Sequence, residues 1–217
     1  MSLQPQKLEP MIDRHVVLLG DSVFDNVRYV AGGLPVIEHL REQLPAGWRA
    51  TLLAVDGDVA SDVINQIANL PSDATHLVIS AGGNDALNII EFLRQPVQSM
   101  LEALDKLAAP LEAFRLDYRA MLKVVSSKNL PVAVCTIYDS IPGLTPAITK
   151  GIALFNDVII REALDADVRI IDLRSVCSDA GDYSVISPIE PSVQGGEKIA
   201  RAIFSCIKKF DIAVGVI

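Results

Sequence analysis

The sequence has little of what disulfide-linked, zinc-binding and membrane-spanning proteins need. Its 217 residues include three cysteines, which are an odd number, widely spaced and without a C-x-x-C pair. This argues against a disulfide framework and against a zinc site. No run of about 18 apolar residues exists, and the first apolar run, residues 16–19, is too short for a signal peptide. We therefore expect a cytoplasmic protein with reduced, mostly buried thiols.

Positive charge is also scarce. The net charge at pH 7 is −8, and Lys208-Lys209 is the only adjacent pair of basic residues. A nucleic-acid-binding protein needs a basic surface, and a helix that lies on a membrane needs a basic face. The composition therefore excludes a nucleic-acid partner and membrane insertion, and it leaves the oligomeric state open.

Hydrophobic residues make up 50% of the sequence, enough for a large core. Five short apolar runs predict strands over residues 15–19, 49–55, 75–80, 131–137 and 168–173. These runs do not alternate with polar residues, which is typical of parallel strands covered on both faces. Helical periodicity fills the gaps, over residues 34–44, 63–70, 97–127, 147–164 and 193–209. Pro110 is expected to break or kink the third of these helices.

The regular alternation of strands and helices predicts an α/β protein. We expect a three-layer α/β/α sandwich around a five-stranded, mainly parallel sheet. No repeat or linker divides the sequence, so residues 13–217 are predicted to form a single domain behind a flexible tail of residues 1–12. Ligands of such folds bind beyond the carboxyl ends of the strands, so the turns there are where a site is expected.

The turn after the first strand reads Gly20-Asp21-Ser22. The glycine permits a tight turn, and a hydroxyl stands where the next helix is expected to direct its first N–H groups toward a ligand. The structural alternative is that Ser22 only caps that helix.

The turn after the third strand, residues 82–85, reads Gly-Gly-Asn-Asp. Asn84 offers a neutral N–H donor, which suits a developing oxyanion. Alternatively, Asn84 or Asp85 caps the following helix. The second strand ends in a turn at Gly57, and the fourth ends beside Tyr138, which is either a turn residue or part of a pocket wall.

In their order and spacing, these turns resemble those of the SGNH (GDSL) hydrolase family over about residues 15–205. The resemblance implies a flavodoxin-like fold and hydrolysis of a small-molecule acyl ester or an acetylated sugar, without a metal or an organic cofactor. It also implies that Ser22 is the nucleophile, and that the N–H groups of Ser22 and Gly57 and the Asn84 side chain form the oxyanion hole. The residues then expected to contact substrate are Asp21, Gly83, Asp85 and Tyr138.

The sequence departs from the family pattern just before the last helix. The family has Asp-x-x-His-Pro there, whereas this chain has Ser187 in place of the aspartate and Glu190 in place of the histidine base. The three histidines, His15, His39 and His76, are expected away from the carboxyl edge of the sheet. Glu190 is therefore the candidate general base, with Ser187 as a hydrogen-bond donor to it.

Three functions stay open at this point. The first is a serine esterase in which Glu190 replaces histidine, with weak activity and a displaced pH profile. The second is a binding protein that keeps the pocket without catalysis, in which Glu190 or Ser192 merely begins the last helix. The third is a metal-assisted hydrolase that uses the acidic residues of the sheet edge. Residues 86–112 are expected to form a lid or a wall of the site.

Overall fold

The computed structural model describes residues 13–89 and 95–214, and in that part of the chain it contains one five-stranded sheet. The strands are β1 (Arg14–Gly20), β2 (Trp48–Leu52), β3 (His76–Ser80), β4 (Val132–Cys135) and β5 (Arg169–Ile171). They lie in the order β2-β1-β3-β4-β5, and every neighbouring pair is parallel. Each observed strand overlaps one of the five predicted apolar runs.

Helices cover both faces of the sheet, which confirms the three-layer prediction. They are α1 (Val36–Gln43), α2 (Val63–Ile67), α3 (Gly83–Asn88), α4 (Met100–Ser126), α5 (Pro146–Asp165), α6 (Leu173–Val176) and α7 (Val193–Val214). Helices α1 and α7 pack on one face, whereas α2, α4 and α5 pack on the other.

The central strand explains why the apolar runs lack alternation. Val16 and Leu18 of β1 face the core beside α1 and α7, and Val17 and Leu19 face the core beside α4 and α5. All four side chains have no exposed surface. A strand with helices on both sides needs apolar residues at every position, so its sequence shows no period of two.

Of the break or kink predicted at Pro110, the break is wrong, because α4 continues through it from Met100 to Ser126. A proline inside a helix removes one backbone N–H and crowds the carbonyl group one turn earlier. The second half of α4 is anchored in the core by Phe114, Tyr118 and Met121. We attribute the continuity of the helix to this packing, which offsets the local cost of the proline.

The alternative in which Ser22 caps a helix is wrong, because no α-helix begins at Ser22. The Asp21 carbonyl accepts hydrogen bonds from the N–H groups of Phe24 and Asp25, which closes a single turn, and α1 does not begin until Val36. The Asn26 side chain accepts a bond from the Val36 N–H, and Pro35 precedes α1 in extended conformation. Ser22 therefore caps no α-helix.

Several predictions fall wholly or partly outside the described residues. The tail predicted over residues 1–12 is one of them, and residues 90–94 of the predicted lid are another. No helix of the described part is long and apolar enough to cross a membrane. The three cysteines are free thiols, and Cys135 and Cys177 are buried.

Candidate active site

Ser22 lies directly beyond β1 because the chain turns sharply at Gly20. Gly20 has a φ of +119°, and a Cβ atom there would lie 1.7 Å from the Ser80 carbonyl oxygen of β3, so only glycine fits. The Asp21 N–H donates to that same oxygen at 3.0 Å. In the part of the chain that the structure describes, the Ser22 N–H donates to no other group, so it is available to a ligand.

The Ser22 side chain meets Glu190, which is 168 positions away in the sequence. Ser22 Oγ donates a hydrogen bond to Glu190 Oε1 at 2.9 Å. Both residues are buried, with Ser22 7% exposed and Glu190 5% exposed. The second carboxylate oxygen of Glu190, Oε2, is buried without a hydrogen-bond partner. One oxygen is thus engaged by the hydroxyl, and the other accepts no hydrogen bond within the described residues.

Burial raises the pKa of Glu190 to about 7, because the charged carboxylate loses hydration there. The hydrogen bond from Ser22 opposes this rise, and the negative charge of Asp56 adds to it. An ordinary histidine has a pKa of about 6.5. The basicity of Glu190 is therefore close to that of the residue which the family pattern has at this position.

Backbone hydrogen bonds hold Glu190 in place. Its N–H donates to the Ser187 carbonyl oxygen at 2.9 Å, and its own carbonyl accepts from the Ser184 N–H at 2.8 Å. The Tyr138 hydroxyl donates to the carbonyl oxygen of Ile189 at 2.6 Å. The hydrogen bond predicted from the Ser187 hydroxyl to Glu190 is not formed. Ser187 instead contributes its carbonyl, which closes the turn that carries Glu190.

Glu190 does not cap the last helix. That role falls to Ser192, whose Oγ accepts a hydrogen bond from the Gly195 N–H at 3.1 Å, at the start of α7. Ser192 also donates its hydroxyl proton to the Gly181 carbonyl. The capping interpretation thus applies to Ser192, and it leaves the Glu190 carboxylate to face Ser22.

The predicted oxyanion donors differ in how they meet the site. One Asn84 side-chain N–H donates to the Asp58 carbonyl at 2.8 Å, which orients the amide and leaves its second N–H free to point elsewhere. Asn84 lines the cavity beside Ser22, whereas Gly57 does not. Gly57 has a φ of +94° in an exposed turn. Among the described residues, its N–H has no hydrogen-bond partner.

Two further carboxyl groups of the predicted site are perturbed by burial. Burial raises the pKa of Asp21 to about 8; the Val23 N–H bond opposes this, and the nearby charge of Glu190 adds to it. Burial also raises the pKa of Asp85 to about 6, although its Oδ2 accepts the Ala60 N–H at 3.0 Å. At pH 7 Asp21 is therefore largely neutral, which limits the negative charge beside Ser22.

A cavity of about 90 Å³ opens beside Ser22, between α3, α5 and the segment after β4. Of the predicted site residues, Asp21, Ser22, Gly83, Asn84, Tyr138 and Glu190 line it, and Gly57, Asp85 and Ser187 do not. Most of the remaining lining is apolar, namely Val23, Ala81, Ala86, Leu87, Ile89, Ile137, Ile141, Leu144, Ile148, Ile152, Phe155 and Ile189.

Two buried amides, Asn26 and Gln66, hold the turns of the site in place, and neither was among the site residues predicted from the sequence. Asn26 donates to the Pro191 carbonyl at 3.2 Å and accepts from the Val36 N–H at 3.0 Å. Gln66 bonds both the N–H and the carbonyl of Gly20, each at 2.7 Å. Gln66 could have been noticed as an amide beside the apolar positions of its helix. Asn26 lies in a turn, where an asparagine is ordinary.

Neither a histidine nor a metal-binding group reaches this site in the described residues. His15 bonds Asp73 and Thr51 near the start of β1, and His76 begins β3, so both lie toward the opposite end of the sheet. His39 is within α1. No group of three or more His, Cys, Asp or Glu side chains in the described ranges is arranged to hold a metal ion.

The chain matches a known protein family over most of its length. The model of the GDSL-like lipase/acylhydrolase family matches residues 18–195, which spans the chain from β1 to the start of α7. The chain belongs to this family. As a member of the GDSL-like lipase/acylhydrolase family, it is a hydrolase of ester bonds. Among curated proteins, no relative matches the sequence.

Solved structures place this GDSL family member among esterases and lipases in fold. A lipase from a goat rumen metagenome has a TM-score of 0.69 and 18% identity, over 89% of this chain and 97% of the other. Phospholipase A1 from Streptomyces albidoflavus has a TM-score of 0.68 and 20% identity, over 89% and 99%. The acetyl xylan esterase AlAXEase has a TM-score of 0.66 and 18% identity, over 89% and 99%. These TM-scores establish a shared fold.

Proposed function

We propose that this protein is a serine esterase in which Glu190, rather than histidine, is the general base. The observation that carries the proposal is the 2.9 Å hydrogen bond from Ser22 Oγ to Glu190 Oε1. This distance is within the range required of a base and the proton it removes. Ser22 and Glu190 are both in the wall of one cavity, so a substrate that enters it meets the two groups together.

The environment of Glu190 removes the main objection to a carboxylate base. An exposed glutamate has a pKa of about 4.3 and would be a weak base for a serine hydroxyl. With its pKa raised to about 7 by burial, Glu190 is close to an ordinary histidine in proton affinity. Near neutral pH it is partly ionised, so it can accept a proton and later return it.

The reaction follows the two-step course of serine acyl transfer. Ser22 Oγ attacks the ester carbonyl carbon and gives its proton to Glu190 Oε1. The carbonyl oxygen becomes an oxyanion, which the N–H groups of Ser22, Gly57 and Asn84 stabilise. The carbon–oxygen bond to the alcohol then breaks, and Glu190 returns the proton to the departing alkoxide. Water repeats the sequence on the acyl-serine, with Glu190 as its base.

The unpartnered oxygen of Glu190 suits the second step. Glu190 Oε2 is buried and accepts no hydrogen bond within the described chain. A buried acceptor without a partner is unfavourable, so a bound water molecule or the alcohol of the substrate relieves it. Either occupant would then stand next to the group that must exchange protons with it.

The test compares hydrolysis of nitrophenyl acetate by wild type, Ser22→Ala and Glu190→Gln. We expect Ser22→Ala to fall to the buffer rate and Glu190→Gln to lower kcat by about 10²–10⁴, the usual contribution of a general base. The wild-type kcat should rise with pH through about pH 7, because only the ionised Glu190 accepts a proton. Equal rates in all three proteins would refute the proposal.

A labelling experiment separates catalysis from simple binding. A fluorophosphonate reacts only with an activated serine, so it should label Ser22 in wild type and label Glu190→Gln far more slowly. A wild-type protein that binds esters but resists the probe would support the non-catalytic alternative.

We further propose a reducing compartment such as the cytoplasm, because all three cysteines are free thiols.

A further inference from the structure

The cavity beside Ser22 has one apolar wall built by a single helix. Ile148, Gly151, Ile152 and Phe155 of α5 line it, and their spacing places them on one face of the helix. From the first to the last of them the helix rises by about 10 Å. Leu87 and Ile89, at the end of α3, line the cavity as well.

Besides the polar residues in the cavity wall, three further polar residues lie in the turns after β1 and β2. Tyr29 Oη donates to Asp56 Oδ2 at 2.8 Å, and the Asp56 N–H donates to Asp25 Oδ2 at 3.0 Å. None of these three residues lines the cavity, yet the charge of Asp56 raises the pKa of Glu190. Ser184 connects these turns to Glu190, because its hydroxyl donates to the Tyr29 carbonyl and its N–H donates to the Glu190 carbonyl. Glu190 therefore lines a cavity with an apolar wall on the α5 side, and it is joined to polar turns on the β2 side.

Esters have two ends, and the two sides of the site suit different ends. The alcohol must take a proton from Glu190 and leave, and water must then enter, which the polar side allows. A sugar against the α5 wall would lose hydrogen bonds to water, and the apolar side chains of that wall replace none of them, which is unfavourable. A hydrocarbon chain loses nothing there and gains from the burial of its surface.

We infer that the cavity is an acyl-chain site, and that the enzyme prefers linear acyl chains of about six carbons to acetyl groups. This inference rests on the proposed function. A group of the size of a water molecule needs about 10–15 Å³ of cavity volume. The cavity of about 90 Å³ therefore accepts a short chain and not a long one. Gly151 lines the cavity on the α5 face, so we expect a larger side chain at this position to reduce its volume.

The first test measures kcat/KM for nitrophenyl acetate, butyrate and hexanoate. Each buried CH₂ group increases kcat/KM about fourfold. We therefore expect kcat/KM for the hexanoate to exceed that for the acetate at least tenfold in wild type. Gly151→Leu should reduce this ratio at least tenfold, and Gly151→Ala should reduce it less. Ala153→Leu, on the exposed face of the same helix, adds the same side chain and should leave the ratio unchanged. A wild-type preference for acetate would overturn the inference.

The second test asks which end of the ester enters the cavity. Ethyl hexanoate and hexyl acetate are isomers with the same number of carbon atoms, and they differ only in which side of the ester bears the long chain. We expect ethyl hexanoate to be hydrolysed at least tenfold faster at equal concentration, and Gly151→Leu to remove this advantage. Equal rates, or faster hydrolysis of hexyl acetate, would show that the chain site is not on the acyl side.

A binding measurement separates this inference from the proposed function. Ser22→Ala cannot turn over an ester through Ser22, so calorimetry can compare its affinity for methyl hexanoate and methyl acetate. We expect methyl hexanoate to bind at least tenfold more tightly, and Gly151→Leu in the same background to abolish the difference. If wild type is inactive while this result holds, the chain site stands and the esterase proposal fails. No preference for methyl hexanoate would overturn the chain site itself.

Discussion

At the scale of single residues, the position of the Glu190 carboxylate can be separated from its acidity. Glu190→Asp keeps a carboxyl group but withdraws it from Ser22 Oγ by about the length of one methylene. We expect kcat for nitrophenyl acetate to fall about 10²-fold, because a displacement of 1 Å is enough to cost that much. Burial still raises the pKa of the shorter carboxyl, so kcat should still increase with pH in the neutral range.

The control for this variant is Glu197→Asp, which makes the same change on the exposed surface of α7. It should leave both kcat and its pH dependence as in wild type. A Glu190→Asp enzyme with kcat within threefold of wild type would contradict the requirement for contact with Ser22. It would point instead to a role for negative charge alone.

The sequence predicted which residues meet at the cavity better than it predicted the hydrogen bonds and the burial of those residues. Ser22, Asn84 and Glu190 follow strands or precede the last helix, so their meeting at one edge follows from the parallel sheet. The predicted bond from the Ser187 hydroxyl to the Glu190 carboxylate was wrong, and the Ser187 carbonyl instead accepts the Glu190 N–H. The spacing of the two residues does not distinguish these two contacts. The raised pKa of Glu190 depends on burial, which the sequence alone does not specify.

At the scale of elements, Asn26 ties the turn of Ser22 to the segment of Glu190. Asn26→Ala removes the partners of the Pro191 carbonyl and the Val36 N–H, both of which are in the interior. An unsatisfied buried group costs about 1–3 kcal/mol, so we expect a loss of about 2–4 kcal/mol of unfolding free energy. We also expect a lower kcat, because the two turns are no longer held together.

Urea unfolding gives the first quantity, and kcat measured at low temperature, where the variant remains folded, gives the second. Asn69→Ala is the matched control, since Asn69 is exposed and makes only a long hydrogen bond of 3.5 Å within its own helical region. It should change neither quantity appreciably. If Asn26→Ala behaves like this control, the two turns are held by other contacts.

The elements themselves show which sequence signals dominate. The five apolar runs predicted the five strands because burial on both faces leaves a strong pattern. Pro110 failed as a helix breaker, since the apolar positions after it pack into the core and hold α4 together. Ser22 does not cap a helix, because α1 begins only at Val36, after the extended Pro35 and with the Val36 N–H bonded to the Asn26 side chain. Tertiary contacts at these points override local propensity.

At the scale of the whole molecule, the fold is retained with little identity. The goat rumen lipase shares 18% of its residues with this chain and still superimposes over 89% of it. What the two must share is the placement of apolar runs, because burial between sheet and helices sets which positions are hydrophobic. The glycine at the β1 turn is a different kind of constraint, since the Ser80 carbonyl excludes any side chain at Gly20.

The buried carboxyl groups make the stability of the whole protein depend on pH. Glu190 has a pKa raised from 4.5 to about 7, and Asp21 has a pKa raised from 3.8 to about 8. Below about pH 3 both groups are largely protonated in the folded and in the unfolded chain, so their burial does not reduce stability. As pH rises through the folded pKa values, the unfolded chain has already ionised, and the folded chain must bury charge. Stability is therefore lost between about pH 4 and pH 8.

A group with a lowered pKa opposes this trend only at acidic pH. The hydrogen bond from Arg174 lowers the pKa of Asp172 below 3.8, so its contribution is present above about pH 4 and is lost as pH falls further. We therefore expect the urea midpoint to be higher at pH 5 than at pH 8. Glu190→Gln should raise the free energy of unfolding by on the order of 3 kcal/mol at pH 8 and by little at pH 4. The reason is that the pKa of Glu190 is raised from 4.5 to about 7, and one pKa unit corresponds to about 1.4 kcal/mol. Glu197→Gln, on the exposed surface, should not change the free energy of unfolding at either pH. If the stability of wild type does not change from pH 5 to pH 8, burial does not raise the pKa values of Glu190 and Asp21.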